Sequence, residues 1–488
     1  MFNWLRKISF KIKYLNKSID KYKKDSIIQS LPTVAYLNQA KKLMDEMKYA
    51  QAEELLTKAL DISTQDGYVY KYLGQICEYK RDYANAMLNY KKCARLEPSD
   101  KDIWRRLSFC QAQMNLLDDA LFSIEKADKR TPNNSDIYYD WGMIYFRNNK
   151  YALARDKFMK SAQLNRFNFM ALLLSAVMDK KLEDYQFAQD KLEFLVKVAP
   201  MDTTYYEYAH LKLIKSDFKE AEEFAKKSIE LNPQMLPSYI ILGEVYSTQR
   251  LTSEFEFVFE KALDNDLESS LLRYEWGKAY LRVFDWQKAK EQFIIALKLD
   301  ENYLDAKIAL ALTYAYENDF EMLHQPDIAA DKNCFYLEAL GLEKLQFNDG
   351  EGAIDLFKKS LEIDSEEIYN YYNLVKAYKK IGDNYKIKEY YEKFIQLAPG
   401  YFEGIFDYGK WLFEMREYEE AIRKFRRAKK IDRENVELLN LMFFSMYTIA
   451  IKGNCDYNIK EAIEIAKKIQ SLGNFNYPEE LAELESRV

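Results

Sequence analysis

The chain has 488 residues, of which 48% are apolar, with only 14 Gly and 9 Pro and a net charge of −6. That composition supports a large buried core and excludes a disordered chain or a turn-rich all-β fold. The acidic balance argues against bulk nucleic-acid binding, and no apolar run reaches the roughly 18–20 residues of a membrane span.

Residues 1–32 hold eight Lys/Arg and two Asp, a net +6, which leaves −12 for the rest. Trp4, Ile8, Ile12, Leu15, Ile19 and Tyr22 recur at helical spacing, and Lys7, Lys13, Lys17, Lys21 and Lys24 lie mainly off that stripe. The pattern predicts a basic amphipathic helix. It lacks the apolar core of a secretory signal peptide. Three roles fit it: a cap over the helices that follow, an arm for an acidic partner, or a helix lying on an anionic membrane surface. In the last role Trp4, Lys7, Ile8, Ile12, Lys13, Leu15 and Lys17 make the contact.

From residue 33 onward the chain repeats. Ala52, Ala86, Ala120, Ala154 and Ala188 fall 34 residues apart, and the series continues through Ala221, Phe255, Ala289, Ala353, Ile387 and Ala421. Twelve residues ahead runs a second small-residue series: Ala40, Gly74, Ser108, Gly142, Ala176, Ala209, Gly243, Gly277, Ala311, Gly341 and Gly409. Pro98, Pro132, Pro200, Pro233 and Pro399 close units. Within a unit the apolar residues fit two short helices: Tyr70, Leu73, Gly74 and Cys77 share one face, then Tyr83, Ala86, Tyr90, Cys93 and Ala94 share another. The link between them is short and polar, so the two helices must be antiparallel neighbours. A small residue on each helix lets the backbones cross closely, and proline ends the second helix because it has no N–H to donate.

This spacing, with Tyr-x₂-Leu-Gly at 70–74, Tyr-x₂-Ala-x₃-Tyr at 83–90 and Pro98, resembles the tetratricopeptide repeat. Segments 138–162, 273–297 and 405–428 match it as well, and about thirteen units fit between about residues 33 and 472. The resemblance implies an all-α fold: a right-handed α-solenoid superhelix of antiparallel helix pairs, with first helices lining a concave face.

The repeat predicts a first array at 33–303, of about eight units. Residues 304–333 form a degenerate unit, where DFEMLHQPDIAADKNC contains Pro326 and predicts a shortened second helix. The segment is either an eroded repeat or a hinge. A second array follows at 334–473. Its last unit carries extra residues in TIAIKGNCDYN, expected to form a loop, and 474–488 reads as a charged capping helix.

No catalytic spacing is present: no phosphate-binding loop, dinucleotide fingerprint, zinc-protease motif or nucleophile elbow. His210 and His324 are the two histidines, too few for a multi-His metal site. Cys77, Cys93, Cys110, Cys334 and Cys455 form no C-x-x-C pair, and their odd number fits a reducing compartment. Cys77 and Cys93 read as core thiols. The repeats use up the chain, so no enzyme activity, cofactor or metal is expected, an enzyme being the remote alternative.

Function then falls to the groove. Its positions give Lys71, Tyr72, Arg105, Arg106 and Arg147, then Tyr139, Asp140, Tyr206, Glu207, His210, Glu244, Tyr274 and Glu275, then Tyr372, Asn373, Lys376, Lys379, Lys380 and Lys410. The groove is predicted to be basic, then acidic, then basic, with recurring tyrosines of the kind that grip partners. Some tetratricopeptide domains clamp a chain-terminal carboxylate. Lys71 and Arg106 resemble fragments of that clamp, but Gln75, Asp136 and Asp140 stand where it needs amides and cations. The expectation is a cytoplasmic scaffold that binds an extended peptide or helix of a partner protein and no nucleic acid. The alternative is a membrane-peripheral adaptor anchored through residues 1–24. Under the adaptor reading, deleting residues 1–24 abolishes co-sedimentation with anionic liposomes; equal sedimentation of the deleted and full chains removes that reading.

Overall fold

The computed structural model describes residues 32–325, 333–365, 367–453, 456–473 and 477–487. The proposed N-terminal helix, with Trp4, Lys7, Ile8, Ile12, Lys13, Leu15 and Lys17, lies outside the described residues, as do 326–332 of the degenerate unit. Among the described residues there is no strand.

The chain forms two compact units, Met1–Ser238 and Tyr239–Val488. The first contains α1 (Pro32–Asp45), α2 (Tyr49–Ile62), α3 (Gly67–Tyr79), α4 (Tyr83–Leu96), α5 (Ile103–Gln113), α6 (Leu117–Arg130), α7 (Ser135–Arg147), α8 (Tyr151–Leu164), α9 (Phe169–Lys181), α10 (Tyr185–Val198), α11 (Asp202–Ile214) and α12 (Phe218–Leu231). The division falls within α13 (Leu236–Thr248). The second unit continues with α14 (Thr252–Asp264), α15 (Ser270–Arg282), α16 (Trp286–Leu299), α17 (Leu304–Tyr316), a 3-10 turn (Met322–His324), α18 (Cys334–Gln346), α19 (Gly350–Ile363), α20 (Ile368–Ile381), α21 (Asn384–Leu397), α22 (Phe402–Glu414), α23 (Tyr418–Lys429), α24 (Val436–Gly453), α25 (Asp456–Ser471) and α26 (Pro478–Glu485). Within each unit consecutive helices pack on one another in pairs. This is an all-α solenoid of helical hairpins, as the 34-residue period predicts.

The small-residue series has a sharper cause than close backbones alone. Each glycine of that series receives the aromatic ring that stands sixteen residues later on the second helix. A Cβ on Gly142 would lie 2.6 Å from the Phe158 ring, and one on Gly74 or Gly409 would lie 2.5 Å from the Tyr90 or Phe425 ring. Gly243, Gly277 and Gly341 meet Phe259, Phe293 and Phe357 in the same way. Where the first-helix residue is larger, the partner shrinks. Ala40 shares a core with Leu56, and Ala176 with Leu192. Ser108 and Ile124, and Ala209 and Ala225, are likewise fully buried. The two positions together fill one volume, as close packing demands. Val375 is the exception: the residue sixteen later is Tyr391, and that ring stacks on Tyr408 at 4.6 Å.

The turn inside each hairpin is as regular as the core. Met47, Arg81, Asn115, Asn149, Glu183, Ser216, Arg250, Phe284, Asn318, Asn348, Gly382 and Arg416 all adopt a left-handed conformation there. Gly382 suits it, and Asn115, Asn149, Asn318 and Asn348 tolerate it; each other L-residue costs about 1–2 kcal/mol, which the docking of two helices overrides. Asp82, Asp217, Asp285, Asp349 and Asp383 then cap the second helix, each side chain accepting from a backbone N–H of its first turn.

The extra residues of the last repeat do not begin as a loop. They lengthen α24 to 18 residues, against 13 in α22. The apolar run LMFFSMYTIAI supports the added turn, because Met446 and Ala450 are buried. In the degenerate unit α17 is followed, among the described residues, by the 3-10 turn alone.

The shared volume makes a double-variant prediction. Gly142→Ala and Gly142→Leu both lower the melting temperature, the leucine variant by more, on the order of 1–3 kcal/mol or beyond. Gly142→Ala combined with Phe158→Leu recovers stability relative to the sum of the two single losses. Strictly additive losses would show that the two side chains do not share space.

Candidate partner-binding face

The expected groove positions lie on the first helices. Those up to His210 belong to the first unit and those from Glu244 to the second. In the first unit the cations are matched to carboxylates of a neighbouring repeat. Lys71 Nζ stands 2.6 Å from Asp100, with both side chains less than a tenth exposed. Arg105 pairs with Asp140 at 2.5 Å and with Asp136 at 3.3 Å. Arg106 reaches Glu78 at 3.2 Å, and Glu78 also accepts from the Tyr90 hydroxyl. The Arg147 guanidinium donates to the carbonyl of Ala112. Tyr72 is buried, and Tyr139 packs 5.8 Å from Phe158. The basic stretch predicted from sequence is therefore largely neutralised by its own repeats.

At the end of the first unit, Tyr206 stacks on His210 with the ring planes 18° apart. Lys180 Nζ lies 2.5 Å from Glu207 and 2.9 Å from His210 Nδ1. Burial, then the Lys180 and Lys181 charges, push the His210 imidazole down to about 4. At neutral pH it is uncharged and accepts from Lys180.

In the second unit Arg282 pairs with Glu244 at 3.1 Å and Lys278 with Glu275 at 3.0 Å. Tyr274 is buried against Phe293 and Tyr303. Tyr372 is buried and bonds Asp407, and Lys376 lies over its ring. Asn373 is fully buried: its amide donates to Glu338 at 3.0 Å and to the Tyr316 hydroxyl at 2.8 Å. Asn370 joins the same carboxylate, and Tyr316 bonds it too. Burial, with Glu367 nearby, raises Glu338 to about 8, and burial lowers Lys376 to about 8. These residues form an internal polar network that joins α17, α18 and α20. Lys380 donates to Asn348 and is exposed, as is Lys379.

Lys410 marks the most open part of this face. It pairs with Glu437 at 2.7 Å, and Glu437 is 60% exposed. Beyond it Phe413, Val436, Glu437, Asn440, Leu441, Phe444 and Tyr477 line a groove of about 600 Å³. Helices α22 and α24 supply its floor, and Tyr477 closes one side with its ring edge-on to Phe444, 4.3 Å between centroids. The Asn440 amide donates to the carbonyl of Val436, and its buried oxygen has no hydrogen-bond partner. The groove thus offers apolar walls. Of its lining the sequence reading had only the neighbour, Lys410. The missed signal was Leu441 and Phe444, apolar where the preceding repeat carries Asp407 and Lys410.

One group of metal-type donors comes together among the described residues: Cys334, Asp364 and Glu367 offer atoms within 4.8 Å of one another. Burial, Glu367 and Asp364 push the Cys334 thiol up to about 12. That keeps it protonated at neutral pH. Cys93 is fully buried, in line with a core thiol, and Cys77 is half-buried. Among the described residues no helix is long and apolar enough to cross a membrane.

The depressed His210 value has a signed consequence. The unfolded chain takes up a proton near pH 6.5, whereas the folded chain does so only near 4. The contribution is intact above about pH 6.5 and is lost progressively as pH falls toward 4. His210→Gln therefore loses less stability than the native chain between pH 7 and pH 5 in urea denaturation. Parallel losses would mean that His210 titrates normally.

The tetratricopeptide-repeat profile matches residues 73–100, 202–235 and 368–401. Anaphase-promoting complex subunit 3 of Schizosaccharomyces pombe is 24% identical over 155 residues, 32% of this chain and 23% of that protein. A tetratricopeptide repeat-containing protein of Methanocaldococcus jannaschii is 21% identical over 321 residues, 64% of this chain and 53% of its own length. An N-terminal acetyltransferase A complex subunit-like protein of S. pombe is 20% identical over 469 residues, 92% of this chain and 65% of that one. The chain thus spans only about a quarter and a half of the first two relatives. Among solved structures, the anaphase-promoting complex hetero-tetramer Cut9–Hcn1 superposes with a TM-score of 0.55 at 15% identity, covering 93% of this chain and 95% of its counterpart. The helical hairpins, their 34-residue register and these matches agree: the chain carries tetratricopeptide repeats in an all-α solenoid.

Proposed function

We propose that the protein is a scaffold that binds a segment of a partner protein, as an extended peptide or a helix, along its first-helix face. The observation that carries this reading is the groove of Phe413, Val436, Asn440, Leu441, Phe444 and Tyr477. Its walls suit two or three apolar side chains. The Lys410–Glu437 pair at its rim is exposed and worth only about 0–1 kcal/mol. It can open at little cost to meet charges on the partner. Tyr206, Glu207, Arg147 and Lys380, which keep some exposure on first helices, are secondary contacts of the same kind. The relatives named as subunits of multiprotein complexes support a binding role over a catalytic one.

Peptides selected from a display library on the full chain test the groove. Leu441→Asp, which puts a charge on an apolar wall, is expected to weaken groove-selected peptides by about tenfold or more. Phe257→Ser, on an exposed part of α14, leaves them unchanged. If every selected peptide binds the Leu441→Asp chain as well as the native one, the groove is not the binding face.

A further inference from the structure

Nearly every buried or half-buried cation described above has a carboxylate. Arg250 does not. It sits at the left-handed position of the turn between α13 and α14, and Phe284 occupies the equivalent place one repeat later, between α15 and α16. The Arg250 guanidinium lies over the Phe284 ring, 4.7 Å from its centroid. Phe284 in turn meets residues from far along the chain: Tyr401 at 4.4 Å and Tyr369 at 5.2 Å between centroids. Trp286 closes on Tyr369 at 5.0 Å and on Tyr316 at 4.0 Å. The result is an aromatic corner within the second unit, next to the repeat in which, among the described residues, a 3-10 turn follows α17.

Within that corner Arg250 Nη2 is enclosed and has no hydrogen-bond partner. Tyr401 is the titratable neighbour whose field reaches the guanidinium; no carboxylate does. Arginine remains charged under such conditions. A ring face offsets part of the desolvation cost, but an unmet buried donor remains unfavourable. What is missing is an anion. A planar carboxylate fits the guanidinium fork, whereas a phosphate dianion would call for a second cation. Burial raises both Tyr369 and Tyr401 above the usual phenol range, and their two hydroxyls bond each other.

We propose that this corner is a docking subsite for an acidic side chain of a partner peptide, its carboxylate set against Arg250 and a neighbouring apolar residue against Phe284 and Tyr401. The subsite stands apart from the groove of α22 and α24 and does not depend on it.

The test uses an array of C-terminally amidated twelve-residue peptides, each with one glutamate in varied aromatic and aliphatic surroundings, and a glutamine twin of each. Amidation removes the chain-terminal carboxylate as a source of charge. Probed with the full chain, a subset binds about tenfold more tightly as glutamate than as glutamine. Arg250→Gln removes that preference, Arg250→Lys reduces it at least about threefold because an ammonium lacks the fork, and Phe122→Ser, at an exposed position of α6, leaves it intact. Melting curves check that the variants fold; if Arg250→Gln does not, Arg250→Lys decides. Absence of any glutamate preference in the native chain overturns the proposal. So does a preference that survives unchanged in the variant that decides.

Discussion

Everything in this protein rests on one packing constraint repeated along the chain: two side chains sixteen residues apart must together fill one space between the helices of a hairpin. Gly142 with Phe158, or Ala176 with Leu192, are two solutions of the same sum. A hairpin that solves it still exposes one apolar flank, because a pair of thirteen-residue helices has too little interior to close on itself. The next hairpin covers that flank. The core therefore grows as a line of contacts between neighbours rather than as a single centre, and each unit is stable only as a stack.

That arrangement shapes what the first-helix face can do. Neighbouring first helices lie side by side, so charges on one repeat find opposite charges on the next. Lys71 with Asp100, Arg105 with Asp140 and Arg282 with Glu244 follow this pattern. A face that looks strongly charged by position is then mostly a lattice of internal pairs, buried where desolvation makes a lost partner expensive. Under the proposed scaffold role, recognition is left to the places where the lattice is incomplete. The end of the second unit is one, because the last repeats leave half-buried apolar residues around a groove. The corner at Arg250 is another, because a cation is present there without its anion.

The two classes of residue differ in how far they could be read in advance. Gly142, Ala176 and Ala86 announce themselves through spacing, since the period of the backbone dictates where small residues must fall. The caps at Asp82, Asp285 and Asp349 follow from the same register. Tyr274 and Tyr372 could not be judged this way. They occupy surface-facing places on a helical wheel, yet Tyr303 and Asp407, each about 30 residues away, bury or bond them. Asn373 is clearer still, since its partners Glu338 and Tyr316 come from two other helices. The extra residues of the last repeat read as an insertion, but their apolar pattern extends α24 instead.

What the amino-acid order determined alone is the periodic part: helix lengths, hairpin turns, the 34-residue step and the all-α class. These are local or next-neighbour properties, and helical spacing of apolar residues encodes them directly. What only the tertiary structure decided is which charges are already matched and which are not, the opening between α22 and α24, and the meeting of Arg250 and Phe284 with Tyr401. Such contacts depend on small rotations from one hairpin to the next. Those rotations are set by the sum of many side-chain volumes, and no single spacing in the sequence records that sum.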